Sequence, residues 1–136
     1  MTTAEPHIHV ETRRIVMSEV DVSQIHFTMA YAWMDRGLCE WVADLGWPFT
    51  RLLEDGVGIP IVNSQCRFIQ RMLLDDVITI ETSAGGVGTT SFRSRHRFIR
   101  DGELCAEGEL THVCIERGGR TPVPVPGWIR AAATPD

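Results

Sequence analysis

Asp21 stands in a loop just ahead of an apolar, aromatic-rich stretch, in EVDVSQIHFTMAYAWMD at residues 19–35. Ser23, His26 and Thr28 lie between it and the first turn of the helix that this stretch predicts. A carboxylate in that place is either a helix-start device or a reagent. Ser, Thr and Asp side chains all accept hydrogen bonds from the unpaired N–H groups of a first turn. Thr28 or Ser23 can fill that role at least as well as Asp21, which leaves Asp21 spare. A helix N-terminus also offers free backbone N–H groups and a partial positive charge, which can polarise a carbonyl and stabilise an oxyanion. A carboxylate within reach of such a carbonyl can attack it or activate water. Residue types and spacing leave both readings open.

Other reactive side chains carry less. His7 and His9 share one face of an extended segment, a spacing that could hold a metal, but a terminal, exposed pair is the expectation. The four cysteines, Cys39, Cys66, Cys105 and Cys114, are widely spaced and form no C-x-x-C pair of the kind zinc sites use. They are read as buried free thiols without chemistry.

The elements that must position Asp21 are legible from periodicity. HIHVETRRIVM alternates apolar and polar residues, predicting a first strand that buries Ile8, Val10, Ile15 and Met17. From Thr28 the residues Ala30, Tyr31, Trp33, Met34, Leu38, Trp41, Val42 and Leu45 recur at three- and four-residue steps, predicting one long helix to about Leu45, closed by Gly46 and Pro48. Gly37 inside it costs stability relative to Ala and marks a close approach to a packed surface.

RLLEDGVG is a short amphipathic connector. IPIVNSQCRFIQ, DVITIETSAG, TTSFRSRHRFIR and ELCAEGELTHVCIE then predict four consecutive strands, with Asp101-Gly102 as a tight antiparallel hairpin. The tail from about residue 120 to residue 136 is a Pro-rich extended segment with a short docking helix near Trp128 and loosely held last residues. The fold class is α+β: a curved antiparallel five-stranded sheet wrapped around one long central helix. The outer sheet faces are not uniformly polar, which favours a homo-oligomer.

Composition sets the frame. A chain of 136 residues with 43% hydrophobic and 23% charged residues is that of one ordinary globular domain, residues 1–136. No apolar run reaches the roughly 18 residues of a membrane span, and the N-terminus lacks a secretory pattern, so the expectation is a cytoplasmic protein with no membrane partner. A net charge of −5 argues against nucleic acid as a partner.

Taken together from Asp21 onward, the chain resembles the 4-hydroxybenzoyl-CoA thioesterases of the hotdog superfamily. The matching residues are Asp21 with Tyr31 ten positions on, Trp33 and Asp35, GIPIV at 58–62, Phe68, DDVITIET at 75–82, and SF and RH between Ser91 and His96. The similarity covers most of residues 8–116. It implies hydrolysis of an acyl-CoA to free acid and CoA, with an aromatic acyl group favoured and no metal or cofactor beyond the CoA of the substrate. By the resemblance Asp21 is nucleophile or general base, and the Thr28 backbone N–H holds the thioester carbonyl. His26, Phe27, Tyr31, Ser91, Arg93 and Arg95 are the substrate-contact candidates. A dimer or dimer of dimers with active sites at subunit interfaces is implied as well.

Departures from the family pattern matter. Where that family has a basic cluster ahead of a strand, contacting CoA phosphates, this chain has Gly88, Thr89 and Thr90, retaining only Ser91. Arg93, Arg95 and Arg97, with Arg67 and Arg71, are the nearest guanidinium groups, which suit phosphates; a solvated or intersubunit arginine face is the competing reading. Loss of CoA contacts would point to an acyl-carrier-protein thioester, and an aliphatic acyl-CoA is a further alternative. A dehydratase is disfavoured because HFTMAY lacks a following Pro-Gly, and Glu40 lacks the His-Gly-Gly partner of another hotdog thioesterase class. A non-catalytic acyl-CoA-binding module is disfavoured by Asp21, a carboxylate that would weaken carbonyl binding unless it reacts.

Overall fold

The computed structural model describes residues 5–135; residues 1–4 and Asp136 lie outside the described residues. Strand β1 (His9–Arg14) leads through a 3-10 turn (Met17–Glu19) into helix α1 (Phe27–Asp44). Helix α2 (Phe49–Glu54) and strand β2 (Val57–Gly58) follow, then β3 (Ile61–Phe68), β4 (Val77–Gly85), β5 (Ser91–Arg100), β6 (Glu103–Val113), β7 (Ile115–Glu116) and helix α3 (Gly127–Ala132). The main sheet has five antiparallel strands in the order β1-β4-β5-β6-β3, and β2 pairs with β7 in a separate ribbon. Helix α1 packs against β1, β4, β5 and β6, so the sheet wraps it as its alternation predicts.

The helix runs from Phe27 to Asp44, one residue earlier at each end than the periodicity suggests, and Gly46 closes it at φ 87°. Asp101 and Gly102 both adopt positive φ, 51° and 78°, the geometry that a two-residue hairpin between right-twisted strands requires. The short helix of the tail docks as expected, with Ile129 and Ala132 of α3 buried, but the residues after it are not loosely held: the Thr134 N–H reaches the Ala84 carbonyl at 2.7 Å, which ties the chain down almost to its last described residue.

The apolar stripe of α1 fills two cores. Ala30, Trp33 and Met34 pack with Ile78, Ile80, Phe98 and Leu110, whereas Leu38, Trp41 and Val42 pack with Ala84, Phe92, Leu52 and Ile129. A side chain at Gly37 would overlap Thr82 Oγ1, and one at Gly108 on β6 would overlap Met34 Sδ. The helix lies this close to the sheet because neither backbone carries a Cβ at those points, which is the close approach expected of Gly37.

A buried polar chain crosses the sheet beside Gly37. Thr82 meets His96 Nδ1 at 3.2 Å, His96 Nε2 meets Ser94 Oγ at 2.9 Å, Ser94 Oγ meets His112 Nε2 at 3.0 Å, and His112 Nδ1 reaches the Ile59 carbonyl at 3.2 Å. The carbonyl can only accept, so His112 Nδ1 carries the hydrogen and its Nε2 accepts from the Ser94 hydroxyl. Ser94 therefore accepts from His96 Nε2–H, and His96 Nδ1 accepts from the Thr82 hydroxyl. One carbonyl fixes the direction of every bond, with both histidines neutral.

β1 departs from expectation. Its alternation has the predicted period and the opposite phase: Ile8 and Val10 are 52% and 55% exposed and Met17 is exposed too, while Ile15 alone of the four is buried. The face turned toward α1 is His9, Glu11 and Arg13. At this edge the sheet meets a polar flank of the helix and the 3-10 turn ahead of it: His9 reaches Asp44 at 2.7 Å and Glu11 pairs with Arg36 at 3.6 Å on the helix, and Arg13 pairs with Glu19 of the turn at 3.1 Å. His7 joins the same Asp44 oxygen at 2.8 Å, so the two histidines are a partly buried clamp on the end of α1 and not the expected exposed pair. Burial would raise the Asp44 carboxyl, but the hydrogen bonds from His7 and His9 outweigh it and leave its pKa below the usual value.

Burial pushes His96 down to about 3, with repulsion from His112 adding to it, and lowers His112 as well despite the opposing Ile59 carbonyl. The unfolded chain takes up a proton at His96 below about pH 6.5 whereas the folded chain resists it down to about pH 3. Stability is therefore lost as pH falls from about 6.5 toward 3, at up to about 1.4 kcal/mol per pH unit from His96, and the lowered pKa of His112 adds a loss of the same sign. Urea unfolding at pH 7, 6 and 5 is expected to show that slope, and His96→Gln to reduce it by one histidine's share.

Candidate active site

The segment between β1 and α1 is held by a residue that the sequence reading passed over. Glu19 is 4% exposed, and its carboxylate accepts from three directions: the Val16 N–H at 2.9 Å, Arg13 Nη2 at 3.1 Å and the indole N–H of Trp33 at 3.2 Å. Its carbonyl accepts the His26 N–H at 2.8 Å. The Arg13 guanidinium also lies 5.3 Å from the Trp33 ring centroid. A single buried acid thus ties β1, the 3-10 turn, the core of α1 and the start of α1 together. Its signal in the sequence was only the spacing Val16 to Glu19, the reach-back step of a capping box without a Ser or Thr at its head.

Two residues further on, the chain makes a small closed loop. Val20 and Ile25 form a bridge, the Asp21 N–H donates to the Gln24 carbonyl at 2.8 Å, and Ser23 N–H reaches Asp21 Oδ1 at 3.4 Å. Asp21 is exposed, and it lines a pocket of about 280 Å³ with Val20, Val22, Ser23, Gln24, Leu73 and Leu74. Its carboxylate has only that long contact from Ser23 among the described residues, so it is spare as the sequence suggested.

The cap of α1 is neither Ser23 nor Thr28. His26 is the N-cap, and its Nδ1 accepts from the Thr28 hydroxyl at 2.7 Å and from the Thr28 N–H at 3.4 Å. The lone pair is taken up mainly by the hydroxyl, so the Thr28 N–H is held weakly and keeps most of its donor capacity. Thr28 is exposed at the helix start, beside the exposed ring of Phe27, which stacks on His26 at 5.1 Å.

The remaining candidates divide. Tyr31 is half-buried against the first core cluster, and Trp33 is wholly a core residue. Ser91 opens β5, where its carbonyl receives the Gly88 N–H at 2.8 Å. Arg93, Arg95 and Arg97 do share one strand face, the outer one, where they meet carboxylates across the sheet: Arg93 and Arg95 lie 3.8 and 3.5 Å from Glu109, and Arg97 lies 3.1 Å from Glu81. Arg67 pairs with Glu107 in the same ladder. The helix-facing side of β5 is Phe92, Ser94, His96 and Phe98, so the sheet stands between this ladder and α1. Arg71, in the loop after β3, has no side-chain ion pair among the described residues. All four cysteines are free; Cys105 and Cys114 are buried, whereas Cys39 and Cys66 are half-buried. Burial pushes the Cys66 and Cys114 thiols up to about 11, which leaves them protonated. Glu40 is a half-buried position on α1.

Comparison with known proteins gives this arrangement a context. The model of the thioesterase-like superfamily matches residues 15–133. A gentisyl-coenzyme A thioesterase is 28% identical and superimposes with a TM-score of 0.78 over 91% of this chain and 98% of its own. A 4-hydroxybenzoyl-CoA thioesterase, solved as an Asp-to-Asn variant with 4-hydroxybenzoyl-CoA, is 23% identical with a TM-score of 0.81 over 93% and 99% of the two chains. A 1,4-dihydroxy-2-naphthoyl-CoA thioesterase from Synechocystis shares the fold at 15% identity, with a TM-score of 0.83 over 93% and 95%.

Replacing Glu19 by Gln keeps the shape but sets a donor among three donors and strips Arg13 of its counter-ion. Breaking a buried pair on one side costs several kcal/mol. Glu19→Gln is expected to lower the unfolding free energy by about 3 kcal/mol, measured by urea denaturation at pH 7.

Proposed function

Because the chain belongs to the thioesterase-like superfamily, we propose that it hydrolyses an acyl-CoA thioester to the free acid and CoA, with Asp21 as the reacting carboxylate. The observation that carries this reading is the pairing of two underused groups on one short segment. Asp21 is an exposed carboxylate lining a pocket, and seven residues on, at the first turn of α1, the Thr28 N–H is held only at 3.4 Å. A thioester carbonyl placed against that N–H is polarised by the donor and by the positive end of an 18-residue helix. Asp21 then acts on the carbonyl carbon, either directly, expelling the CoA thiolate and leaving an acyl-aspartyl anhydride for water to cleave, or by taking the proton of an attacking water. Both routes end in the carboxylic acid and CoA thiol, and neither calls on a metal or a further cofactor.

The acyl group in this reading is aromatic. The three structural neighbours are named for gentisyl, 4-hydroxybenzoyl and dihydroxynaphthoyl esters, and Phe27 and Tyr31 offer aromatic surface on the first turns of α1. His26 contributes as the cap whose Nδ1 is taken up mainly by the Thr28 hydroxyl, leaving the amide weakly held. For the CoA phosphates, Arg93 and Arg95 would have to leave Glu109, whereas Arg71 has no carboxylate to leave among the described residues. That commitment of the ladder favours, as a second reading, a thioester borne on an acyl carrier protein.

The site is completed by a second copy of the chain. β3 is an edge strand of eight residues with one neighbour, β6, and it exposes Ile61, Val62 and Phe68. An edge this long and apolar is a template for pairing, and antiparallel pairing of two β3 strands would join two sheets into a dimer.

Asp21→Asn keeps shape and hydrogen bonding while removing the charge. Thiol release from benzoyl-type, phenylacetyl and aliphatic acyl-CoA esters is expected to fall by about 100-fold or more in kcat in this variant, with little change in KM. Thr28→Ala is expected to cost far less, since the amide remains. Undiminished turnover by Asp21→Asn would overturn the assignment, and release from an acyl-carrier-protein thioester alone would establish the second reading.

A further inference from the structure

The pocket beside Asp21 has a second wall that nothing in the loop itself supplies. It comes from the segment between β3 and β4, residues 69–76, which presents Leu73 and Leu74 to the pocket at 41% and 45% exposed. Leucines left half in water usually sit on mobile loops, but this loop is bound on every side. Its Met72 is buried, and the Met72 carbonyl accepts the Ile25 N–H at 2.9 Å, which fastens the loop directly to the segment carrying Asp21. The Asp75 N–H donates to the Ile15 carbonyl and the Ile15 N–H to the Asp76 carbonyl, each at 2.9 Å. Asp75 takes positive φ, 70°, to complete the turn.

Arg100, at the end of β5, is the strut behind that wall. Its guanidinium donates to the Arg71 carbonyl at 2.7 Å, to Asp76 Oδ2 at 2.7 Å and to Gln70 Oε1 at 3.3 Å. Asp76 Oδ2 in turn accepts the Leu73 N–H at 2.8 Å, so the chain from Arg100 to the backbone of Leu73 is two hydrogen bonds long. A planar fork that spans three acceptors fixes a loop where a point charge would not.

Exposed leucines held rigid beside a reacting group make a binding surface. We propose that Leu73 and Leu74 receive the hydrocarbon part of the acyl group and set its preferred size, and that Arg100 is the positioning residue that holds them against Asp21. This inference rests on the thioesterase reading. The aryl group of that reading fits an apolar wall of this kind, an alkyl chain being the outcome the test separates from it; Ser23 and Gln24 are the polar side chains that line the pocket beside Asp21.

The test compares kcat/KM for acetyl-CoA, hexanoyl-CoA and benzoyl-CoA in the wild type, the Leu73→Ala/Leu74→Ala double variant, Arg100→Gln and Arg100→Lys. Removing several methylenes of pocket surface is expected to lower the hexanoyl-to-acetyl and benzoyl-to-acetyl ratios by about 10-fold or more in the double variant. Arg100→Gln should move the ratios the same way, and Arg100→Lys, which keeps a donor for Asp76, should recover part of the loss. The larger change between the benzoyl and hexanoyl ratios identifies which hydrocarbon the leucines fit. Equal losses on all three esters in the double variant would overturn the specificity assignment while leaving the thioesterase reading standing. Unchanged ratios in Arg100→Gln would overturn the positioning role. A wild type that cleaves none of the three would overturn the acyl-CoA reading and, with it, this assignment of the leucines.

Discussion

The site depends on one buried carboxylate. Glu19 is 4% exposed beside the first core, and an ion so withdrawn from solvent is tolerable only when its lone pairs are filled. Arg13 from β1, the indole of Trp33 from α1 and the Val16 amide fill them. Each of these donors belongs to a different element, so satisfying the charge dictates how the strand, the turn and the helix meet. The Asp21 loop begins two residues later and inherits that geometry. Apolar contacts alone would hold the same elements together, but they are non-directional and would tolerate a loop displaced by an ångström; the hydrogen bonds of a charged group do not.

A similar logic governs the middle of the core. The buried chain from Thr82 to the Ile59 carbonyl runs from β4 through β5 to β6 and the segment ahead of β3, so it reports strand register: a slip of one residue would turn His96 or Ser94 outward and leave its partner unpaired. It lies beside Gly37, where the helix backbone approaches most closely and where a larger residue has no room. The polar layer contributes specificity of packing more than net stability, because each group exchanges water for one protein partner.

Much of this was legible in the sequence where local chemistry dictates local structure. The helix period, the Asp101-Gly102 turn, the Gly46 stop, the close approach at Gly37 and the docking helix near Trp128 each follow from residue type and spacing, and the ordered set of residues from Asp21 to His96 pointed to the family. The phase of β1 was not legible, because alternation gives the period of a strand while its phase depends on which flank of the helix it meets. Asp44 and Arg36 turn that flank polar, Glu19 adds a carboxylate from the 3-10 turn, and these partners come from 6 to 35 residues away. The arginine alternation was visible, but the matching carboxylates Glu81, Glu107 and Glu109 acquire meaning only through cross-strand register. Glu19 was overlooked because a lone acid next to a loop looks solvated until three donors converge on it.

That register has a consequence for how the chain can meet an anionic substrate. On the outer face Arg97 stands between Glu81 and Glu107, Arg95 opposite Glu109, and Arg67 opposite Glu107. The ladder is close to neutral, and an incoming phosphate would compete with carboxylates already in place. Exposed pairs of this kind are individually weak, so they could be exchanged, but the exchange removes most of the gain. Electrostatic attraction toward the site must therefore come from cations outside the ladder. Arg71 lies outside the ladder, on the same braced loop that carries Leu73 and Leu74 to the Asp21 pocket, and has no side-chain ion pair among the described residues. A single loop, fixed by Arg100, thus holds both the apolar surface and the uncommitted charge nearest in sequence to it.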